Sequence, residues 1–394
     1  MAVAALVVAA GIPLTANQWA EFNTRRGLRA RSEMLRTVGR QALERHDYTV
    51  AAEAFGGAAA GDPSDGSLAE ELLGARVELA LEQPTAFTAP GALALEVELR
   101  AAAARAGGKP VARQTLALGR MLQYRGAGDA ARDLFKTVAT QDPNDAAAAL
   151  YYGDALLKAS LLDEAAGVLQ HAVALDGKAP LAQFAYGQVL LSQGKFAEAH
   201  EHLLAAVGGQ PNNAQALLAL GKAENGLKKW TEARASLERA LALAPDLLAA
   251  QIPLGEADVN LGNAEGAIVA FKTAYEKGGD TNALRYLARV YLQLSRFADA
   301  SPLYQTLNRM NADDAEALLA LGTCAAGLND VAGARAAFAR CIEVAQGKPE
   351  AEPVLKVAQQ RLEALNKGSE EAAAPAPESA PAAGHARGRE TNPR

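Results

Sequence analysis

GRMLQYRGAGDAARDLFKTVATQDPNDAAAALYY, residues 119–152, is one period of a pattern that runs through the middle of the chain. Its first glycine returns at Gly153, Gly187, Gly221 and Gly255, each 34 residues on; Ala288 takes the place one residue early, and Gly322 follows 34 later. Twelve residues after each marker stands alanine: Ala131, Ala165, Ala199, Ala233, Ala267, Ala300 and Ala334. Sixteen after it comes a large apolar residue: Phe135, Leu169, Leu203, Leu237, Phe271, Tyr304 and Phe338. One residue before it sits Leu118, Tyr152, Tyr186, Leu220, Leu254, Leu287 or Leu321. An alanine-rich composition accounts for a single matching column. Several columns agreeing at one period require one structural unit stacked many times. Small residues belong where two helices of a hairpin cross closely, and the large residues are expected to fill the space between successive hairpins.

Punctuation divides each period in two. Gly126-Ala127-Gly128-Asp129, Gly194-Lys195 and Gly262-Asn263 suit a turn between two helices. QDPND around Pro143, GQPNN around Pro211 and APD around Pro245 suit a stop, with Asn or Asp capping the next helix. Each unit therefore reads helix, turn, helix, turn.

With the small marker residue, the alanine twelve on, the aromatic or leucine sixteen on and the terminal proline, the chain resembles a tetratricopeptide-repeat protein of the bacterial membrane-anchored type over residues 113–346. Gly39 with Ala51, Phe55, Ala58 and Pro63 fits the same template upstream. Gly74 follows Gly39 by 35 residues and Gly119 follows Gly74 by 45, about eleven more than one repeat. The excess is assigned to LEQPTAFTAPG, residues 81–91, where Pro84 and Pro90 oppose a helix. The expected organisation is an apolar segment at 1–16, two N-terminal repeats at 17–112 with the second divergent, and seven repeats at 113–349. A capping helix at 350–367 and a Pro-, Ala- and Glu-rich disordered tail at 368–394 follow. The resemblance implies an all-α fold, a right-handed superhelical solenoid of stacked helix-turn-helix units.

Some residues depart from the template. Glu224 and Asp258 stand three residues after their markers, a place usually aromatic or aliphatic, so those hairpins are expected to be thinner or wetter there. Pro253 falls in a first helix and Pro302 in a second one; each should bend or delay its helix, as tolerated variation or as a hinge. Cys324 and Cys341 occupy columns of small apolar residues, and either stand as buried hydrophobes or face each other across one hairpin.

The formal net charge is −6, and no concentrated basic face appears, which argues against nucleic acid as a partner. Residues 2–14, AVAALVVAAGIPL, are continuously apolar. About 14 helical residues reach roughly 21 Å, short of the roughly 30 Å hydrocarbon core. No Lys or Arg precedes the run, while Arg25, Arg26, Arg29 and Arg31 follow it. Two readings stand: a membrane anchor or export signal, its missing basic flank reconciled if the true start lies before Met1, or a cap docked on the stack.

No pattern for catalysis or for a cofactor emerges. His200 and His202 are two apart and so diverge by roughly 200° on a helix, which suits a solvated face rather than a metal site. Gly126-Ala127-Gly128 lies between helices and not after a strand, so it is no phosphate loop.

The stack instead offers a surface. On each first helix, positions −3, +1 and +4 from the marker share a stripe beside the packing face, and the resemblance implies that this stripe lines a concave ligand groove. Position −3 reads Leu116, Leu150, Phe184, Leu218, Ile252, Arg285, Leu319; position +1 reads Arg120, Asp154, Gln188, Lys222, Glu256, Arg289, Thr323. The apolar row either anchors a partner segment or completes packing between neighbouring first helices. Arg285 and Arg289 either seat a carboxylate or pair with nearby Asp or Glu. Leucines hold most of the −3 row, so the family's clamp for acidic chaperone tails does not transfer. The expected function is a non-catalytic scaffold that holds a protein or peptide in the groove. It would act in assembly or trafficking at a bacterial membrane, its repeats periplasmic; the alternative is a cytoplasmic adaptor. Self-association through the stack ends is also allowed.

Overall fold

Each marker of a regular repeat lies within a helix onto which the partner helix lowers a large side chain. A computed structural model describes residues 28–83, 89–105 and 111–366. The apolar segment 1–16 and the tail 368–394 lie outside the described residues. Among those described, every regular element is helical, and no helix is long and apolar enough to cross a membrane.

The chain divides into two units, Met1–Pro211 and Asn212–Arg394. The first holds α1 (Leu28–Glu44), α2 (Tyr48–Gly61), α3 (Gly66–Glu82), α4 (Ala89–Arg105), α5 (Ala112–Tyr124), α6 (Gly128–Gln141), α7 (Ala146–Lys158), α8 (Leu162–Leu175), α9 (Pro180–Ser192) and α10 (Phe196–Gly209). The second holds α11 (Ala214–Gly226), α12 (Trp230–Leu243), α13 (Gln251–Asn260), α14 (Ala264–Gly278), α15 (Thr281–Gln293), α16 (Phe297–Met310), α17 (Ala315–Gly327), α18 (Val331–Ala345) and α19 (Glu352–Asn366). Helices α5 to α18 make seven hairpins at the repeat period. Within each unit a helix packs on the next in sequence, and neighbouring first helices lie side by side: α5 on α7 and α7 on α9, then α11 on α13.

The alanines twelve residues after the markers are all fully buried, as are Phe135, Leu169, Leu203, Leu237 and Phe338. A Cβ added to Gly39, Gly119, Gly153, Gly187, Gly221, Gly255 or Gly322 would meet the side chain sixteen residues on at less than 3.0 Å. The large residue thus plugs its own hairpin against the marker, rather than only filling the space between hairpins as the sequence suggested. Tyrosines of the following repeat then close over two of the plugs: Tyr151 lies 5.6 Å from Phe135, and Tyr286 stacks 5.2 Å from Phe271. Gly74 meets nothing, in keeping with a divergent unit.

The turn inside each hairpin has one geometry. Seven residues after the marker the backbone enters the left-handed region, at His46, Gly126, Ser160, Gly194, Lys228, Gly262, Ser295 and Asn329. The next N–H then donates back across the helix end, as from Ala127 to Leu122 at 2.9 Å and from Asp330 to Ala325 at 2.8 Å. Asp145, Asn213, Asp280 and Asp314 cap first helices. Asp246 of the APD break makes no such cap. Pro253 has no N–H to offer Ala249, so the first turn of that helix tightens into a 3-10 turn, Leu248–Ala250, and α13 keeps 10 residues where α11 has 13. Around Pro302, by contrast, α16 runs unbroken for 14 residues.

The excess in the second unit of the pattern is spread more widely than 81–91. Helices α3 and α4 have 17 residues each, against 13 and 14 in α5 and α6. Leu81 and Glu82 end α3, while Pro90 is the second residue of α4, where no intrahelical acceptor awaits its missing N–H. Residues 84–88 lie outside the described ones.

Glu224 and Asp258 are buried, not wetted. Glu224 hydrogen-bonds Ser236. Asp258 accepts from Asn263 at 2.8 Å and lies 3.3 Å from the Arg234 Nε. Cys324 and Cys341 are free, buried and in different clusters, Cys324 with Tyr304 and Leu284, Cys341 with Leu318 and Ala358. They therefore do not face one another as a pair. Burial pushes both thiols up to about 11, which keeps them protonated and inert. Helix α19 closes the second unit, burying Ala358 and Leu365 and accepting an Arg335 hydrogen bond at the Leu365 carbonyl, 3.0 Å.

Two outcomes follow. A side chain in the left-handed region costs roughly 1 kcal/mol, so Ser160→Gly, Lys228→Gly and Ser295→Gly should each raise the thermal midpoint; unchanged or lower midpoints in all three would exclude turn strain. Burial raises the Glu224 carboxyl above its ordinary range, so the native state binds its proton more readily than the unfolded chain. Stability from this group is complete at acid pH and is lost as pH rises from about 4 toward neutral. Glu224→Leu should therefore stabilise, with a thermal advantage that widens between pH 4 and 7; a constant advantage would show that the carboxyl is not the cause.

Candidate functional site

Side-by-side first helices turn the stripe residues into walls of a shared surface. In the first unit α5, α7 and α9 enclose a pocket of about 200 Å3, lined by Arg120 and Gln123 from α5, Leu150, Tyr151, Asp154 and Lys158 from α7, and Leu181, Phe184, Ala185 and Gln188 from α9. Of the residues expected in the groove, Leu150, Asp154, Phe184 and Gln188 come together here. Leu150 and Phe184 are half-buried, so apolar surface remains open to a ligand.

The polar groups of the pocket are partly committed. Lys158 Nζ lies 2.6 Å from Asp154 Oδ2, and Gln123 Nε2 donates to the same oxygen at 3.1 Å. The Arg120 guanidinium stacks 4.8 Å above the Tyr151 ring. Tyr151 was missed in the sequence, although with Tyr286 it is one of two aromatics two residues before a marker. Leu181, 45% exposed, was missed too. It lies three residues before Phe184, so carrying the stripe one turn further would have found it.

The remaining expected residues lie outside this pocket. Leu218, like Leu116, is buried. Ile252 and Leu319 are half-buried beside core clusters. Arg285 pairs with a carboxylate of its own chain: its Nη1 lies 2.8 Å from Asp314, which caps α17. Arg36 repeats this arrangement, 3.3 Å from the Asp65 cap of α3, so an arginine at −3 ties one first helix to the start of the next. Lys222 and Arg289 are exposed. Burial raises the Glu256 carboxyl, opposed by a hydrogen bond with Tyr286 and the charge of Lys222.

Elsewhere in the first unit a pocket of about 260 Å3 lies among α6, α7 and α8; its His171 Nε2 is 2.8 Å from the Pro143 carbonyl, and its Asp145 caps α7. His202 is no solvated-face residue, since its Nδ1 lies 2.6 Å from Gln183 Oε1 and its ring packs edge-on to Tyr186 at 4.7 Å. Among the described residues no three of His, Cys, Asp and Glu gather to hold a metal ion.

The two kinds of −3 leucine are distinguishable by substitution. Leu218→Ala should cost roughly 2–5 kcal/mol of stability, whereas Leu150→Ala should cost at most about 1.5 kcal/mol. Equal losses in urea unfolding would mean that Leu150 is packing, not surface.

A family model agrees with this architecture. The tetratricopeptide repeat family matches residues 116–180, 184–247 and 286–349. Among solved structures, the chain is similar to a tetratricopeptide repeat protein from Parabacteroides merdae, at 14% identity over 63% of this chain and 98% of that one, with a TM-score of 0.44. It is similar to pilF of Pseudomonas aeruginosa at 19% identity over 55% and 94%, TM-score 0.44. It is also similar to MamA 41-end from Desulfovibrio magneticus RS-1 at 24% over 42% and 93%, TM-score 0.38. No curated protein matches the chain. Repeats of this kind generally serve protein–protein interaction, and with a buried small-residue column, a plugged marker and one helical hairpin per period, the chain is a tetratricopeptide-repeat protein.

Proposed function

We propose that this chain is a non-catalytic scaffold that binds a segment of a partner polypeptide in the pocket between α5, α7 and α9. The observation that carries this reading is the combination in that pocket of half-open apolar side chains, Leu150, Leu181 and Phe184, with polar groups from three successive first helices. Apolar anchors supply binding energy when they leave water, and the surrounding polar groups set register. In a stack of this kind such a surface is built by repetition rather than by a single enclosed site, which suits recognition of an extended or helical segment.

We further propose that the scaffold works in assembly or trafficking at a bacterial membrane, with the repeats in the periplasm. The support is the apolar run at residues 2–14.

A displayed library of random peptides selected on the full chain tests the pocket. Selected peptides should lose most of their binding to Phe184→Ala and Leu150→Asp chains that melt like the parent, and keep it with Leu204→Ala, an exposed leucine on the second helix α10. Binding that ignores Phe184 and Leu150 would remove the pocket from the function. Fractionation of the native cell tests the membrane link, which recovery wholly in the soluble fraction would end.

A further inference from the structure

The charged groups of the α5–α7–α9 pocket do not balance. Two cations, Arg120 and Lys158, stand against one carboxylate, Asp154. Lys158 and the Gln123 amide both engage Asp154, through a 2.6 Å ion pair and a 3.1 Å hydrogen bond. Arg120 is the remainder: among the described residues no carboxylate pairs with it. Its guanidinium is held over the Tyr151 ring, 4.8 Å from the centroid, and Tyr151 is itself braced 5.6 Å from the buried plug Phe135. A guanidinium laid on an aromatic face keeps its N–H groups at its rim, where a carboxylate accepts two of them. The surplus positive charge sits in a chain whose net charge is −6, so it marks this pocket rather than a generally basic surface.

We propose that the pocket selects an acidic amphipathic segment of another protein, in which a large aliphatic or aromatic side chain fills the space between Leu150, Leu181 and Phe184 and an Asp or Glu nearby in the same segment pairs with Arg120. This rests on the reading of the pocket as a polypeptide site and adds its specificity. The apolar anchor supplies affinity common to many sequences. The carboxylate discriminates, because a lysine in its place would face Arg120 at close range in a half-buried site.

The test uses the full chain and a displayed peptide library with a fixed Leu or Phe anchor and flanking positions varied among Glu, Gln and Lys. The best binder is then synthesised with Glu, Gln or Lys at the discriminating position and titrated by fluorescence anisotropy. The Glu peptide should bind about tenfold more tightly than the Lys peptide, and the gap should shrink as salt is raised. Arg120→Glu should invert the order, and Arg120→Gln should abolish the preference while leaving binding through the anchor. Arg120 is half-exposed, and circular dichroism should show both variants folded like the parent.

A Glu preference that survives Arg120→Glu, no preference at all, or no binding peptide in the library would each overturn the proposal. These outcomes differ from failure of the site itself, in which Phe184→Ala would leave every peptide bound as before. Sedimentation of the chain alone gives the remaining arm. Self-association abolished by Arg120→Glu would assign the pocket to a second copy and overturn the assignment to another protein, whereas a monomer at binding concentrations supports it.

Discussion

In each regular hairpin a side chain sixteen residues after the marker rests directly on a glycine or alanine of the facing helix. The contact leaves no room for a larger marker: a Cβ on Gly255 would fall 2.5 Å from Phe271, and one on Gly221 2.5 Å from Leu237. With a fully buried alanine twelve residues after each marker, the two helices are held at close range by shape alone, through dispersion and apolar burial rather than directed bonds. A plugged hairpin presents one first helix, and in the first unit α5, α7 and α9 then lie side by side.

The turns and caps set the period. A left-handed residue seven after the marker reverses the chain in every regular hairpin, and five of the eight such positions carry a side chain, His46, Ser160, Lys228, Ser295 and Asn329. That these residues are tolerated shows that the plug dominates the turn: burial of a side chain such as Phe135 or Leu169 outweighs roughly 1 kcal/mol of backbone strain. Polar exceptions gather in one place. Glu224, Asp258 and Pro253 all belong to α11 and α13, where the neighbouring repeats of the first unit hold Leu156 and Leu190 in the column of the two acids. Each is compensated locally, by Ser236, by Asn263 and Arg234, and by the 3-10 turn before α13. Compensation of this kind satisfies polar groups without restoring the apolar contact that leucine makes.

The pocket shows how a repeat becomes particular. Position −3 carries the same residue type in most repeats, yet it serves as core at Leu116 and Leu218, as pocket wall at Leu150 and Phe184, and as a tie to the next helix cap at Arg285. What differs is the neighbour. Tyr151 lifts Arg120 into a stacked position, and Leu181 adds an apolar wall at a place where other first helices carry Arg, Ala, Gln, Asn or Glu.

Hairpins, their period, the buried alanine column and the plug residues were all legible in the chain, because each depends on residues a fixed distance apart within one unit. The capping helix was legible for the same reason, as a single amphipathic face on α19. The sequence alone thereby determined that this is an all-helical repeat protein. Only the tertiary structure decided which members of a stripe stay open at the surface. Leu150 and Leu218 hold the same position of the repeat and look identical in the chain, yet the first is a half-buried pocket wall and the second is buried. The same holds for Arg285, whose charge is absorbed by a cap belonging to the following repeat, and for Arg120, whose guanidinium is positioned by the ring of Tyr151 from the next hairpin.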